Sequence, residues 1–136
     1  MSSPTHVGGC FCGAVRYAAQ DPSFLCFCYC TSCRRASGAL IVAWGTFNYG
    51  DFRITRGNLR EVATSPGVTR GHCEQCGTTL TYRHQQKDRE IDLTLASLDD
   101  AAELKPTVHI WVEDKLPWLV IADGLPQYQK GISRAP

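Results

Sequence analysis

The sequence predicts a mainly β fold of short strands, with one or two short helices. Three observations predict it. Two-residue alternation of apolar and polar residues is common, and helical periodicity is scarce. The 12 glycines and 7 prolines are scattered through the 136 residues, which is typical of many short elements separated by turns. No linker, low-complexity tract or long repeat interrupts the chain, so residues 1–136 are predicted to form a single domain.

The strands are predicted from short apolar or alternating runs bounded by turn residues. Gly8 and Gly9 are interpreted as a turn before the first strand, and Gly57 as the turn that closes the alternating run before it. A continuous apolar run around Trp44 indicates a buried strand. The predicted strands cover residues 15–17, 24–28, 40–44, 52–55, 78–82, 91–95, 108–112 and 118–121.

Two short helices are predicted from their end signals. The first covers Thr31–Ser37, where Thr31 or Ser32 can cap the start and Gly38 can end the helix. The second covers residues 99–104, between two aspartates that can cap its start and Pro106, which stops it.

Composition and charge exclude several classes of protein. Apolar residues make up 43% of the chain and charged residues 20%, so the chain can build a core and is not disordered. No apolar run approaches the roughly 18 residues of a membrane span, and no membrane partner is expected. The net charge of +1 offers no basic surface for nucleic acid, which is also not expected as a partner.

Eight cysteines are many for a chain of 136 residues. A secreted domain would pair them in disulfides, whereas an intracellular domain more often uses them to bind metal. The first residues, from Met1 to His6, show neither the charged nor the apolar region of a signal peptide. We therefore expect a cytoplasmic protein whose cysteines are metal ligands.

The most specific cysteine motif is Cys73-Glu74-Gln75-Cys76-Gly77. Two cysteines three apart can turn both sulfurs to one ion, and the following glycine can adopt a positive φ. This pattern predicts a zinc knuckle, which supplies two of the four ligands of a closed structural site. The simplest way to complete it is with Cys10 and Cys12 of the first motif.

The middle cluster, Cys26-Phe27-Cys28-Tyr29-Cys30-Thr31-Ser32-Cys33, leaves two arrangements open. Cys28, Cys30 and Cys33 can reach one metal if the chain bends into the helix, leaving a fourth position for water or a thiol. Alternatively, Cys26 is the fourth ligand of a second closed structural site. An extended strand places Cys26 roughly 6–7 Å upstream of Cys28, so this would require a further bend.

Residues beside the middle cluster are candidates for ligand binding. Cys33 lies in the first turn of the predicted helix, where the helix dipole stabilises a thiolate. Arg34 and Arg35 could bind carboxylates of an anionic ligand, or could be solvated surface residues. Tyr29 should point away from the metal, and His109 is expected to make a structural hydrogen bond.

Three cysteine motifs in this order resemble the glutathione-dependent formaldehyde-activating enzyme (GFA) family, also called the CENP-V/GFA domain. The resemblance covers about residues 6–128 and includes the C-terminal His109-Ile110-Trp111 and Leu116-Pro117-Trp118. The matching segments are Gly8-Gly9-Cys10-Phe11-Cys12-Gly13, Cys28-Tyr29-Cys30-Thr31-Ser32-Cys33-Arg34-Arg35 and Cys73-Glu74-Gln75-Cys76-Gly77-Thr78.

This resemblance implies a fold and an activity. The implied fold is a small, zinc-stabilised β-tent of short antiparallel sheets, with two zinc ions per chain. The first ion is structural and would be held by Cys10, Cys12, Cys73 and Cys76. A second, labile zinc would be held by the catalytic trio Cys28, Cys30 and Cys33.

The implied activity is that of a carbon–sulfur lyase that joins glutathione, as co-substrate, to formaldehyde or another small electrophile. The partners would be a small-molecule thiol and an aldehyde, and a homodimer is possible. Arg34 and Arg35 would then be the residues that bind the carboxylates of glutathione. Two other classes stay open: a non-catalytic, zinc-stabilised binding module and a redox sensor based on the middle thiolates.

Overall fold

A computed structural model describes residues 5–132 of the chain. The fold is mainly β, as predicted, with ten strands in two sheets and one α-helix in this part of the chain. The strands are β1 (His6–Gly9), β2 (Arg16–Ala19), β3 (Phe24–Cys28), β4 (Val42–Asn48), β5 (Arg53–Arg56), β6 (Leu59–Ser65), β7 (Val68–Cys73), β8 (Thr79–His84), β9 (Glu90–Thr94) and β10 (Val108–Ile110). The helix α1 is Thr31–Ser37, and 3-10 turns form at Tyr49–Asp51, Gln85–Lys87, Leu95–Ser97, Ala101–Glu103 and Val112–Asp114.

A three-stranded sheet in the order β1-β2-β5 packs beside a seven-stranded sheet in the order β10-β3-β4-β9-β8-β7-β6. Every strand pairing is antiparallel except that of β10 with β3, which is parallel. The parallel pair places Ile110 beside Cys28. The C-terminal part of the chain is thereby brought alongside the middle cysteine cluster.

Two groups of buried side chains hold the sheets together. The larger group includes Tyr17, Phe47, Leu80 and Leu93, each at most 1% exposed. The smaller group surrounds the middle cysteines and includes Trp44, which is 4% exposed. At roughly 1.5–3 kcal/mol for each large side chain buried, the larger core is the main stabilising term. Cys10 and Cys73 belong to this larger group, whereas Cys28 and Cys33 belong to the smaller one.

Helix α1 has the predicted bounds, but its start is capped by a different residue. Cys30 is the N-cap, and its Sγ accepts a hydrogen bond from the backbone N–H of Cys33 at 3.2 Å. Thr31 and Ser32, the predicted caps, lie inside the first turn. Gly38 ends the helix in the left-handed region at φ 74°, as expected.

Three other predictions of secondary structure are wrong, and one hairpin was missed. Gly8 and Gly9 lie within β1 and not in a turn. A Cβ at Gly8 would come within 2.6 Å of the Tyr17 hydroxyl oxygen, so the packing of this strand requires glycine there. The segment 118–121 is a loop, since Trp118 is 66% exposed. Segment 99–104 forms only the 3-10 turn Ala101–Glu103, and the hairpin of β6 and β7 was not predicted.

No helix within residues 5–132 combines the length and the apolar character needed to cross a membrane.

Candidate metal centres

The first cysteine cluster joins two turns that are distant in sequence. Cys10 and Cys12 lie in the turn after β1, while Cys73 ends β7 and Cys76 lies in the turn before β8. The four Sγ atoms lie within 4.8 Å of one another. Cys12 Sγ is 3.6 Å from Cys10 Sγ and 3.7 Å from Cys73 Sγ. Four sulfurs bound tetrahedrally to zinc at about 2.3 Å would be about 3.8 Å apart, so this donor set fits zinc.

Backbone N–H groups in both turns point at the sulfurs. Cys10 Sγ accepts from the N–H of Val15 at 3.2 Å, and Cys73 Sγ accepts from the N–H of Cys76 at 3.4 Å. Gly77 has φ 79°, which confirms the positive φ expected from the knuckle motif. Hydrogen bonds from Thr78 lower the pKa of the Cys76 thiol to about 5. The knuckle turn therefore favours the thiolate of Cys76, the form in which cysteine binds metal.

The second cluster is local in sequence. Cys28 ends β3, Cys30 caps α1 and Cys33 lies in the first turn of the helix. Their Sγ atoms lie within 4.8 Å of one another, and those of Cys28 and Cys33 are 3.8 Å apart. These three sulfurs have the spacing of three corners of a tetrahedral zinc site.

Hydrogen bonds within this trio shift the pKa values of its thiols in opposite directions. The Sγ of Cys28 donates to the Sγ of Cys33. The hydrogen bonds from Cys28 and Cys30 lower the pKa of Cys33, whereas the pKa of Cys28 is raised by its bonds to the other two thiols. Without a metal, Cys33 is therefore the first of the three to become a thiolate.

Arg70 of β7 is a residue of this site that the sequence analysis missed. It is 8% exposed, and its Nη2 donates to the Sγ of Cys33 at 3.6 Å. The guanidinium lies over the ring of Tyr82, 4.9 Å from the centroid. No motif marks Arg70, because its place depends on the pairing of β7 with β8, which sets it opposite Tyr82.

A cavity of about 460 Å³ opens beside the trio, a size typical of small-molecule sites. All three cysteines line it. Its walls also include Thr31, Ser32, Trp44, Arg70, Tyr82, Lys87, Asp92, Trp111 and Asp114. Trp111 is the only non-glycine residue with a positive φ, 58°, within residues 5–132. Strain of this kind persists where the surrounding structure fixes a residue for a role, here as a wall of the cavity.

The predicted glutathione contacts, Arg34 and Arg35, do not line this cavity. Cys33 faces inward, and each following residue is rotated by about 100° around the helix axis. Arg35 is therefore exposed and Arg34 is half-buried along the side of the helix. Their role in binding glutathione remains only a prediction.

Cys26 lies on the wall of the same cavity and is 3% exposed. Its Sγ is not among the three sulfurs that lie within 4.8 Å of one another. Since Cys26 is two residues before Cys28 on β3, the extended strand holds the two sulfurs apart. The geometry brings together three cysteines of the middle cluster, not four.

Behind the trio, a hydrogen-bonded chain runs from the buried Tyr29 and His109 to the exposed Asp123. The hydroxyl of Tyr29 lies 2.7 Å from Nδ1 of His109, and Nε2 of His109 lies 2.9 Å from a carboxylate oxygen of Asp123. The carboxylate must accept, so Nε2 carries the proton and Nδ1 accepts from the tyrosine. Tyr29 thus points away from the cysteines and His109 makes structural hydrogen bonds, as the sequence analysis predicts.

The chain is similar to several known proteins. Residues 5–114 match the family described as glutathione-dependent formaldehyde-activating enzyme (GFA). A Halomonas elongata protein named "Putative glutathione-dependent formaldehyde-activating enzyme" is 27% identical over 125 residues, covering 84% of this chain and 79% of that protein. The crystal structure of a Rhodobacter sphaeroides protein has a similar fold, with a TM-score of 0.57 and 22% identity over 90% of this chain and 98% of that one.

Proposed function

This chain belongs to the glutathione-dependent formaldehyde-activating enzyme family, and we propose that it joins glutathione to formaldehyde or another small electrophile at the three-cysteine site. The observation that carries the proposal is the position of the trio on the wall of a cavity. A closed structural zinc site has four protein ligands, whereas a site with three leaves a position for a substrate. The name of the Halomonas relative supports the same activity.

In this proposal the two clusters have different tasks. Cys10, Cys12, Cys73 and Cys76 would hold a structural zinc, and Cys28, Cys30 and Cys33 would hold a second, labile one. When bound at the second site, zinc lowers the pKa of a coordinated thiol and can polarise a carbonyl oxygen. The remaining work, which is to position the reactants and exclude water, belongs to the residues around the cavity.

The proposed reaction is an addition with no change of oxidation state. The sulfur of glutathione attacks the carbonyl carbon, and a carbon–sulfur bond forms. The π electron pair of the carbonyl moves to its oxygen, which receives the proton that left the thiol. The product is S-hydroxymethylglutathione, and the reverse reaction is the carbon–sulfur lyase step. Trp111 and Tyr82 wall the cavity and would limit the access of water to the reacting atoms.

The test is the zinc content of metal-replete protein with and without millimolar glutathione. We expect two zinc ions per chain, with the second lost or altered by the thiol. Cys30→Ser should stay folded and retain one zinc, and its zinc content should not respond to glutathione. Cys26→Ser is the matched control, since Cys26 lies on the same wall outside the trio. It should retain both ions and the response.

Turnover is tested separately, by following adduct formation against the spontaneous reaction of the same reagents. Two zinc ions unmoved by glutathione, with no rate above that background, would refute the proposal in favour of a non-catalytic module. Reversible oxidation of the trio under mild peroxide, with loss of one zinc, would favour a redox sensor.

The proposal also includes a cytoplasmic location, where glutathione keeps thiols reduced. A homodimer remains a prediction.

A further inference from the structure

Arg70 is a buried cation beside the cysteine trio, and its guanidinium is incompletely hydrogen-bonded. It is 8% exposed and shares the cavity wall with the carboxylates of Asp92 and Asp114. Its Nη1 is buried with no hydrogen-bond partner, while Nη2 donates to the Sγ of Cys33. A buried charge costs several kcal/mol unless an opposite charge accompanies it.

The cysteine trio can supply that opposite charge. Cys33 is the polar contact of the guanidinium, at 3.6 Å, and the other two sulfurs lie within 4.8 Å of the Cys33 sulfur. The ring of Tyr82 covers one face of the guanidinium and shields that face from solvent, but it does not neutralise the positive charge. Arg70 is thus held against the trio by packing, and its charge acts on whatever the trio binds.

A count of charges shows what this arrangement favours. Lys87, Asp92 and Asp114 on the cavity wall contribute the same charge in every case and are left out of the count. A divalent ion with three thiolates then carries −1, and Arg70 brings the total to zero. Adding a neutral fourth ligand keeps it at zero. Adding an anionic one gives −1, whereas without Arg70 the same ligand would give −2. In a partly buried site each additional like charge is costly, so the arginine mainly affects the binding of an anion.

We propose that Arg70 determines the ligand specificity of the three-cysteine site by favouring a negatively charged fourth ligand, namely a thiolate, over a neutral one. The inference rests on the proposed function only for the identity of the anion. Arg70 acts through the charge it places beside Cys33 and is a positioning residue.

Cobalt(II) in place of zinc gives a spectroscopic test, because its absorption bands report each added ligand. The titrants are 2-mercaptoethanol and glutathione, which bind as thiolates, azide, which is a small anion, and imidazole, which is neutral. The variants are Arg70→Gln, which removes the charge, and Arg70→Lys, which keeps it. Arg53→Gln is the matched control, since Arg53 is exposed on β5 and away from the cavity.

We expect Arg70→Gln to weaken the binding of mercaptoethanol and azide by about ten- to a hundredfold, the range for a hydrogen bond to a charged group. The affinity for imidazole should change by less than about threefold. Arg70→Lys should retain most of the preference for anions, and Arg53→Gln all of it.

Equal weakening of anionic and neutral ligands, or no weakening, would overturn the proposal. So would an Arg70→Lys variant that behaves like Arg70→Gln, or loss of the second cobalt from both, which would make Arg70 structural. A loss seen with glutathione but not with mercaptoethanol would mean that Arg70 binds a carboxylate of glutathione instead. If the wild type binds azide through Arg70 but no thiol, the proposed function fails and the role of Arg70 stands.

Discussion

Replacing Tyr29 with phenylalanine tests whether the hydrogen bonds that link Tyr29, His109 and Asp123 maintain the geometry of the three-cysteine site. Tyr29 lies between two cysteines of the trio, and its hydroxyl is 2.7 Å from Nδ1 of His109. The substitution keeps the ring and opens no large cavity. Its main effect is to leave Nδ1 of His109, a residue 3% exposed, without a donor.

The expected loss of stability follows from that unpaired atom. A buried acceptor left without a partner costs about 1–3 kcal/mol. In a domain of this size 1 kcal/mol corresponds to about 4 °C in Tm, so Tm should fall by about 4–12 °C. The peptide segment from Cys28 to Cys30 also loses its anchor. By analogy with residues that orient metal ligands, the second zinc should be released about ten- to a hundredfold faster.

Thermal unfolding followed by circular dichroism measures the first effect, and zinc transfer to a chromogenic chelator measures the second. Tyr17→Phe is the matched control. Tyr17 is 1% exposed and its hydroxyl is 2.6 Å from Oγ of Ser97, outside the cavity beside the trio. It should lose comparable stability with no change in zinc release. If both variants release the second zinc at the same rate, the hydrogen bonds among Tyr29, His109 and Asp123 do not hold the trio in place.

Three further predictions concern the rest of the fold. Cys76→Ser should unfold the domain at moderate temperature. A metal that links Cys12 to Cys73, which are 61 positions apart, stabilises the fold by about 4 kcal/mol through the lost entropy of the unfolded chain. A folded variant with one zinc fewer would contradict this. Gly57→Ala should lower the free energy of unfolding by about 1–3 kcal/mol, since φ is 71° there and a Cβ would collide with the backbone; unchanged denaturant unfolding would refute it. Burial lowers the pKa of His6, but hydrogen bonds to Asp21 and Asp100 raise it by more, so its folded pKa lies above 6.5. Its contribution is therefore complete below that pH and lost as pH rises through the folded value. The stability difference between wild type and His6→Gln should shrink from about pH 6 to pH 8, and a constant difference would exclude the effect.

Elements fixed by local chemistry were predicted well. Helix α1 has its predicted bounds because Gly38 ends it and the preceding residues favour a helix start. Strand β3 also has its predicted bounds, since 24–28 is a short apolar run on a buried strand. The grouping of Cys10 and Cys12 with Cys73 and Cys76 followed from counting ligands, and the structure brings these four sulfurs together. Counting left open whether Cys26 joins the middle trio.

Features that depend on tertiary contacts were not predicted. Strand β6 is almost entirely exposed, and its sequence shows no alternation of apolar and polar residues. Its strand conformation depends on its pairing with β7. Segment 118–121 is apolar but exposed, with Val120 81% exposed, so hydrophobicity alone was misleading there. Arg70 shows the same limit, because its burial comes from strands that meet only in the folded sheet.

The two clusters differ in how far apart their sulfurs lie along the chain. All three cysteines of the second cluster fall within six residues, so an unfolded chain can already capture an ion there. The first cluster exists only when its two turns have met. A ligand stabilises a fold only as far as it prefers the folded state. Raising the free zinc concentration should therefore increase Tm mainly through the first cluster. The second cluster would bind zinc in both the folded and the unfolded chain, so its effect on Tm should be smaller.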